Sequence, residues 1–293
     1  DDFKGSLTAD AAARAIAEGW QQVAPDDDID LCPMSDGGPG FVDTLAGALG
    51  GELIGATVSG PLGAPTPGAI LIVGRTAYVE SAQACGLHLV PPGQRDPAAT
   101  TTFGVGELLR LAAESGASRI VVGLGGSATN DGGAGMLAAL GATADVRLDA
   151  GGLALRGATR VDVSPAVAAV AGVEILAATD VDNPLLGLTG AAKVFGSQKG
   201  ADDNLVLMRD GALEAFAKAI GRRGDGKDPA VAKGSGAAGG LGYGLLCLGA
   251  TRVPGIATVM EATDLQARIR NCDLVITGEG RFDWQSLRGK VVS

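Results

Sequence analysis

Aromatic side chains are scarce: Phe, Tyr and Trp together make up 3% of 293 residues, and His88 is the single histidine. One imidazole cannot build a two-histidine metal site. His88 lies between Leu87 and Leu89, where a packed or surface role is expected, so histidine-dependent triads are unsupported. The four cysteines, Cys32, Cys85, Cys247 and Cys272, are widely scattered without a Cys-x-x-Cys pair. That pattern argues against a disulfide frame or a zinc site and points to buried, reduced thiols in a cytoplasmic protein. Basic residues are outnumbered, 23 Lys and Arg against 33 Asp and Glu, for a formal net charge of −10. No stretch gathers the cations, so neither nucleic acid nor an anionic membrane is an expected partner. No apolar run is long enough to cross a bilayer, and no signal-peptide pattern opens the chain. A Gly-x-x-x-x-Gly-Lys-Ser/Thr loop is also missing, which excludes a P-loop at the level of pattern.

Glycine is abundant, 48 residues clustered between apolar runs, while hydrophobic residues make up 46% of the chain. Without a fixed glycine period the sequence is neither collagen-like nor disordered, and an α/β protein rich in sharp turns is expected. At 293 residues, two α/β domains are a better expectation than one. The chain starts at Asp1 without Met and stops at Lys290-Val291-Val292-Ser293, where another strand or helix is expected to begin, so a fragment is expected.

Thr8-Ala9-Asp10 supplies helix N-cap chemistry, and Ala12, Ile16, Trp20 and Val23 follow at helical spacing up to Pro25. Residues 29–34 read as a short strand, and Asp36-Gly37-Gly38 turns the chain into a helix through about residue 49. From residue 52 to 80 short β-type runs follow, with Ile70 to Val73 and Ala77 to Val79 reading as an antiparallel pair. Then come a helix over 103–115, a buried strand at Ile120-Val121-Val122 and a helix over 131–140, a βα unit with a glycine-rich link. Later expectations are a strand at 174–178, helices near 203–220 and 236–248, and a strand at Leu274-Val275-Ile276.

The strongest single feature is Gly123-Leu124-Gly125-Gly126-Ser127-Ala128-Thr129-Asn130-Asp131-Gly132-Gly133, set between a strand and a helix. Its glycines allow backbone N–H groups to approach an anion, and Ser127, Thr129 and Asn130 add donors beside a helix N-terminus. The loop reads either as a phosphate cradle or as a turn that packs a helix on a sheet. It also fits Gly-x-Gly-x-x-Ala with Asp145 downstream, the pattern of a nucleotide-dependent oxidoreductase. A second run, Gly234 to Gly242 with Gly239 and Gly240, either takes a further phosphate or lets two backbones pack closely.

Acidic residues fall in loops after strands: Asp36, Asp180 with Asp182, and Glu279 with Asp283. Phosphoryl transfer needs a carboxylate for Mg²⁺, another to orient the attacking hydroxyl, and cations to offset phosphate charge. Lys4, Lys199, Arg281 and Lys290 are the candidate cations, with surface salt bridging as the alternative for each.

Taken together, these segments resemble the type-1 glycerate kinase family. The residues that carry the resemblance are Phe3 to Leu7, Ser35 to Gly38, Gly123 to Gly133, Asp180 to Leu186, Gln198 to Ala201, Gly236 to Gly242, and Thr277 to Lys290 with Asp283-x-Gln285-Ser286. The resemblance implies ATP and Mg²⁺ as cofactors, D-glycerate as the small-molecule substrate and 2-phosphoglycerate as the usual product. It also implies two α/β domains with a cleft between them, one Rossmann or flavodoxin-like and discontinuous. Residues 1–60 plus 255–293 are expected to form that discontinuous domain and 61–254 the second; a homodimer is one assembly open to the chain.

On this reading Gly125, Gly126, Ser127, Thr129, Asn130, Asp131, Lys199, Gly239 and Gly240 bind the ATP phosphates and Asp180 helps hold Mg²⁺. Lys4 and Arg281 neutralise phosphate or the glycerate carboxylate, and Asp283 or Asp36 orients the hydroxyl. The chain departs from the family pattern at Asp2, at Pro39 where a Glu is usual, and at Ser197 where a Pro is usual. Pro39 removes both a carboxylate and a backbone donor beside Asp36, which motivates a further alternative, a non-catalytic ligand-binding protein.

Overall fold

The structure, a computed structural model, describes residues 3, 6–195 and 203–280. In chain order the helices are α1 (Ala9–Gln21), α2 (Phe41–Leu49), α3 (Ala82–Cys85), α4 (Phe103–Glu114), α5 (Ala134–Ala139), α6 (Ser164–Ala169), α7 (Ala191–Phe195), α8 (Asp203–Ile220), α9 (Ala237–Cys247), α10 (Gly255–Ala262) and α11 (Leu265–Arg270). The strands are β1 (Glu52–Ser59), β2 (Pro65–Val73), β3 (Thr76–Glu80), β4 (Arg119–Gly123), β5 (Thr143–Ala144), β6 (Val161–Asp162), β7 (Glu174–Ala178) and β8 (Thr251–Val253). No described helix is long and apolar enough to cross a membrane.

A six-stranded sheet in the order β1-β2-β3-β4-β7-β8 forms the centre. β1, β2 and β3 pair antiparallel, whereas β3, β4, β7 and β8 run parallel. The β2–β3 connection is a two-residue turn between Val73 and Thr76, with Gly74 at φ 59°, a conformation that a two-residue hairpin requires and glycine adopts without strain. Alternation along the strands divides the core between the two faces. Ile120 and Val122 join Ile70, Leu108, Met136 and Phe216 on one face, and Val121 joins Leu71, Phe41, Leu45 and Val259 on the other. α2 and α10 therefore share a face. The sheet draws strands from both of the units expected from the sequence.

Three expectations differ from what is observed. Residues 29–34 and 274–276 form no strand, because an extended segment becomes one only when a neighbour pairs with its backbone, and none among the described residues does. Leu274, Val275 and Ile276 stay exposed. The apolar stripe of α1 is likewise open: Ala12 is buried, while Ile16, Trp20 and Val23 are exposed. The helix itself forms as its sequence dictates, with Thr8 Oγ1 accepting from the Ala11 N–H at 3.1 Å. Finally, Cys272 is exposed; all four thiols are free, as expected, but only Cys85 and Cys247 are fully buried.

Candidate active site

Register places Glu80, Gly123, Ala178 and Val253 side by side across the parallel part of the sheet, at the carboxyl ends of β3, β4, β7 and β8. Ligands of open α/β sheets collect at this edge. The loops that leave it carry Gly125, Gly126 and Asp180, and the Ser35–Gly40 segment lies across them.

That segment is held by backbone approach that only glycine allows. A Cβ on Gly37, which has φ 98°, would stand 3.0 Å from the Ala178 carbonyl, and one on Gly125 would stand 2.6 Å from the Gly38 Cα. The Pro39 ring fills the space beside Gly126, where a Cβ would come within 2.8 Å of it. Locally, the Gly37 N–H donates to Ser35 Oγ at 3.3 Å and the Gly38 N–H to Asp36 Oδ1 at 3.1 Å, an Asx turn.

In the first glycine loop Gly126 is exposed and Gly125 half-buried, and their N–H groups meet no protein acceptor among the described residues. Those donors are open to an anion. The rest of the loop is interior. Ser127, Thr129, Asn130 and Asp131 are all buried. Asp131 accepts from the Thr102 N–H and Oγ1, both at 2.9 Å, and from the N–H groups of Gly133 at 3.0 Å and Gly135 at 3.2 Å. Thr102 Oγ1 in turn accepts from the Met136 N–H at 3.0 Å, so Asp131 and Thr102 jointly cap α5 and tie it to the start of α4. Burial pushes the Asp131 carboxyl up and these donors pull it back. The Asn130 carboxamide is enclosed with no hydrogen-bond partner among the described residues. Asp131 and Asn130 thus face the interior rather than an open cradle.

Gly239 and Gly240, also buried, pack on this loop from behind. A Cβ on Gly239 would overlap the Thr129 carbonyl, one on Gly240 would stand 2.7 Å from the Gly132 Cα, and the Gly132 N–H donates to Gly239 O at 3.2 Å. α9 is correspondingly irregular at its start, with Ala238, Gly239 and Gly240 at φ 51°, 72° and 91°. The close backbone packing that the sequence allowed for this run is present.

Asp180 follows β7 and caps α10. Its Oδ1 accepts from the Gly255 N–H at 3.1 Å and its Oδ2 from the Ile256 N–H at 3.0 Å. The carboxyl is half-buried, and burial raises its pKa, opposed by the Ile256 N–H and reinforced by the neighbouring charge of Asp36. The Asp36 backbone also touches α10, since a Cβ on Gly255 would overlap its carbonyl. Two carboxylates are therefore neighbours at the sheet edge. Asp182 points outward and pairs with Lys233 at 2.9 Å and Arg252 at 2.8 Å.

The sequence reading missed two groups. Arg252 on β8 contributes positive charge near Asp180, and Glu80 is a buried acid at the end of β3. The signal for each is a charge at the end of a short β-type run, Ala77-Tyr78-Val79-Glu80 and Thr251-Arg252-Val253. Lys4, Lys199, Arg281 and Asp283 lie outside the described residues. Asp145 belongs to the separate β5–β6 sheet, where Thr159 and Arg160 hold its carboxylate near pKa 2. A 460 Å³ surface cavity lined by Thr143, Asp145, Thr159 and Arg160 opens on that hairpin, not at the carboxyl edge of the main sheet.

Fold and site together define an α/β enzyme with glycine loops and carboxylates gathered at the carboxyl edge of its parallel strands, and without a P-loop pattern. The chain belongs to the glycerate kinase family, whose model matches residues 1–293. It is 44% identical to the glycerate kinase of Bacillus subtilis (strain 168), over 99% of this chain and 78% of that one. It is 43% identical to the glycerate 2-kinase of Escherichia coli (strain K12), again over 99% and 78%. A crystal structure from Salmonella typhimurium LT2, assigned as glycerate kinase 2, matches with a TM-score of 0.81 at 42% identity, over 99% of this chain and 79% of that chain.

Proposed function

We propose that the protein phosphorylates D-glycerate with ATP, giving 2-phosphoglycerate and ADP, at the edge where Asp36, Asp180 and the Gly125–Gly126 amides meet. The observation that carries this reading is the neighbouring pair Asp36 and Asp180 at the sheet edge where Gly38 packs on Gly125, in a chain 44% identical to a glycerate kinase. The edge joins Asp36 and Gly255 of the expected 1–60 plus 255–293 unit to Gly125 and Asp180 of the 61–254 unit.

The N–H groups of Gly125 and Gly126 receive phosphate oxygens of ATP, and Ser127 and Thr129 shape the loop behind them. Asp131, Asn130, Gly239 and Gly240 support that loop from the interior. Lys199, Lys4 and Arg281 offset phosphate or carboxylate charge. Asp36, or Asp283, accepts the proton of the glycerate hydroxyl as its oxygen bonds to the γ-phosphorus. The bond from that phosphorus to the β–γ bridging oxygen breaks, and ADP leaves.

The carboxylate pair suits Mg²⁺, which needs only one or two protein carboxylates beside the nucleotide phosphates. Asp180 would hold the ion while its cap bonds to α10 fix its orientation; when bound, Mg²⁺ neutralises phosphate charge. The four free thiols fit a reducing, cytoplasmic setting. The test is incubation with ATP, Mg²⁺ and D-glycerate followed by phosphorus NMR. A phosphomonoester coupled to one carbon-bound proton is the expected 2-phosphoglycerate. Coupling to two such protons indicates the 3-isomer, and no glycerate-dependent ester rejects the reading.

A further inference from the structure

Glu80 is 4% exposed at the carboxyl end of β3, one strand away from the glycine loop, and takes no part in the chemistry above. Its carboxylate faces the start of α2. Glu80 Oε2 accepts from the Val42 N–H at 3.2 Å, and the Gly40 N–H and the Gln83 side chain also donate to the carboxylate. The Gln83 orientation is fixed from outside, since its Oε1 accepts from the Ala69 N–H of β2 at 2.7 Å. Only its Nε2 is then left to face Glu80.

We propose that Glu80 is a positioning residue for phosphoryl transfer, acting through the Ser35–Gly40 loop whose junction with α2 it clamps. This rests on the kinase reading. The loop carries Asp36 and lies backbone to backbone on Gly123 and Gly125, where an added Cβ would come within 2.7 Å of the Gly37 carbonyl oxygen or 2.6 Å of the Gly38 Cα. A clamp on Gly40 and Val42 therefore fixes where Asp36 stands relative to Gly125 and Asp180.

The clamp depends on protonation. Burial drives the Glu80 carboxyl up to about 7, opposed by the Val42 and Gly40 N–H groups; Asp43 of α2 raises it and Gln83 of α3 lowers it. The ionised form offers every lone pair to the three donors. The protonated form turns one acceptor site into a donor and loses the charge that strengthens all three bonds. The loop is thus held fully above neutrality and loosened below it.

The experiment is kcat/KM for glycerate against pH, from 5.5 to 9, for the full chain and for Glu80→Gln and Gln83→Met. The native enzyme is expected to lose about tenfold as pH falls through about 7, the equivalent of one charge-assisted hydrogen bond. Glu80→Gln should lack that limb and run about tenfold below the native enzyme at pH 8.5, with KM for ATP little changed. Gln83→Met, which removes a donor, should move the midpoint upward. A native-like acid limb in Glu80→Gln, or an unmoved midpoint in Gln83→Met, overturns the proposal.

Amide hydrogen exchange at Gly40 and Val42 in the native protein needs neither turnover nor a folded Glu80 variant. Protection that rises with pH through neutrality, after correction for intrinsic exchange, supports the clamp, and flat protection overturns it. Absence of phosphoglycerate at every pH would reject the kinase reading while leaving this measurement decisive for Glu80.

Discussion

The Gly125 and Gly38 backbones touch: a Cβ built on Gly125 would stand 2.6 Å from the Gly38 Cα and 3.0 Å from the Gly38 nitrogen. Two loops remote in sequence thus form one surface, and the contact leaves no room for a methyl group. Gly125→Ala should cost about 1–3 kcal/mol of stability, in the range of overpacking. It should also lower kcat/KM for glycerate at least tenfold, because the displaced atoms belong to the amides proposed to receive phosphate. Thermal melting and steady-state kinetics on the same preparation check both; native values in both would show that the loops yield freely.

Gly239→Ala should act differently. Its Cβ would overlap the Thr129 carbonyl in a backbone at φ 72°. Steric overlap and left-handed strain together should cost about 2–4 kcal/mol in urea denaturation. Because the site is behind the loop, protein that still folds should keep KM for ATP within about threefold.

Asp131→Ala removes one acceptor from four protein donors in the interior. A loss of at least about 3 kcal/mol is expected, since buried donors are left without partners at the starts of two helices. Denaturation of the variant at neutral pH measures it. A loss under about 1 kcal/mol would mean that water satisfies those groups.

The Glu80 carboxyl carries a pH dependence of stability with a definite sign. Its value near 7 in the folded protein stands above the ordinary 4.5. Its contribution is therefore fully present below about pH 4.5 and is lost as pH rises through about 7, amounting to about 3 kcal/mol. Glu80→Gln does not titrate, so its stability relative to the native protein should grow by about that amount between pH 4.5 and 8. Urea midpoints at the two pH values measure the difference. The pH range that seats the Ser35–Gly40 loop is then the range in which the buried charge weakens the fold.

Much of this architecture is written locally. The run Ile120-Val121-Val122 gives β4, Gly74 gives the β2–β3 turn, and Thr8 starts α1, because each depends on near neighbours in the chain. Residues 29–34 and 274–276 have equally strand-like sequences and still form no strand, since pairing is decided by what lies alongside. The candidate site divides in the same way. Gly125, Gly126, Asp36 and Asp180 sit in loops after strands or beside glycines, where local reading finds them. Asp131 and Gly239 look identical in sequence to exposed loop groups, and their burial shows only in the folded chain. Glu80 was invisible because two of its partners, Gly40 and Val42, come from a segment remote from it in sequence, and only the fold brings them to the end of β3.

The most direct test of the carboxylate edge is turnover of Asp180→Asn with ATP, Mg²⁺ and D-glycerate, measured beside its melting temperature. Asn is a good helix cap and keeps an acceptor for the Gly255 or Ile256 N–H, so the fold should survive with a loss near 1 kcal/mol. The expected result is a native-like melt with kcat reduced at least about a hundredfold, because the charge proposed to hold Mg²⁺ is gone. Turnover within about threefold of the native enzyme would contradict the assignment and move phosphoryl transfer away from the edge that Asp180 shares with Asp36.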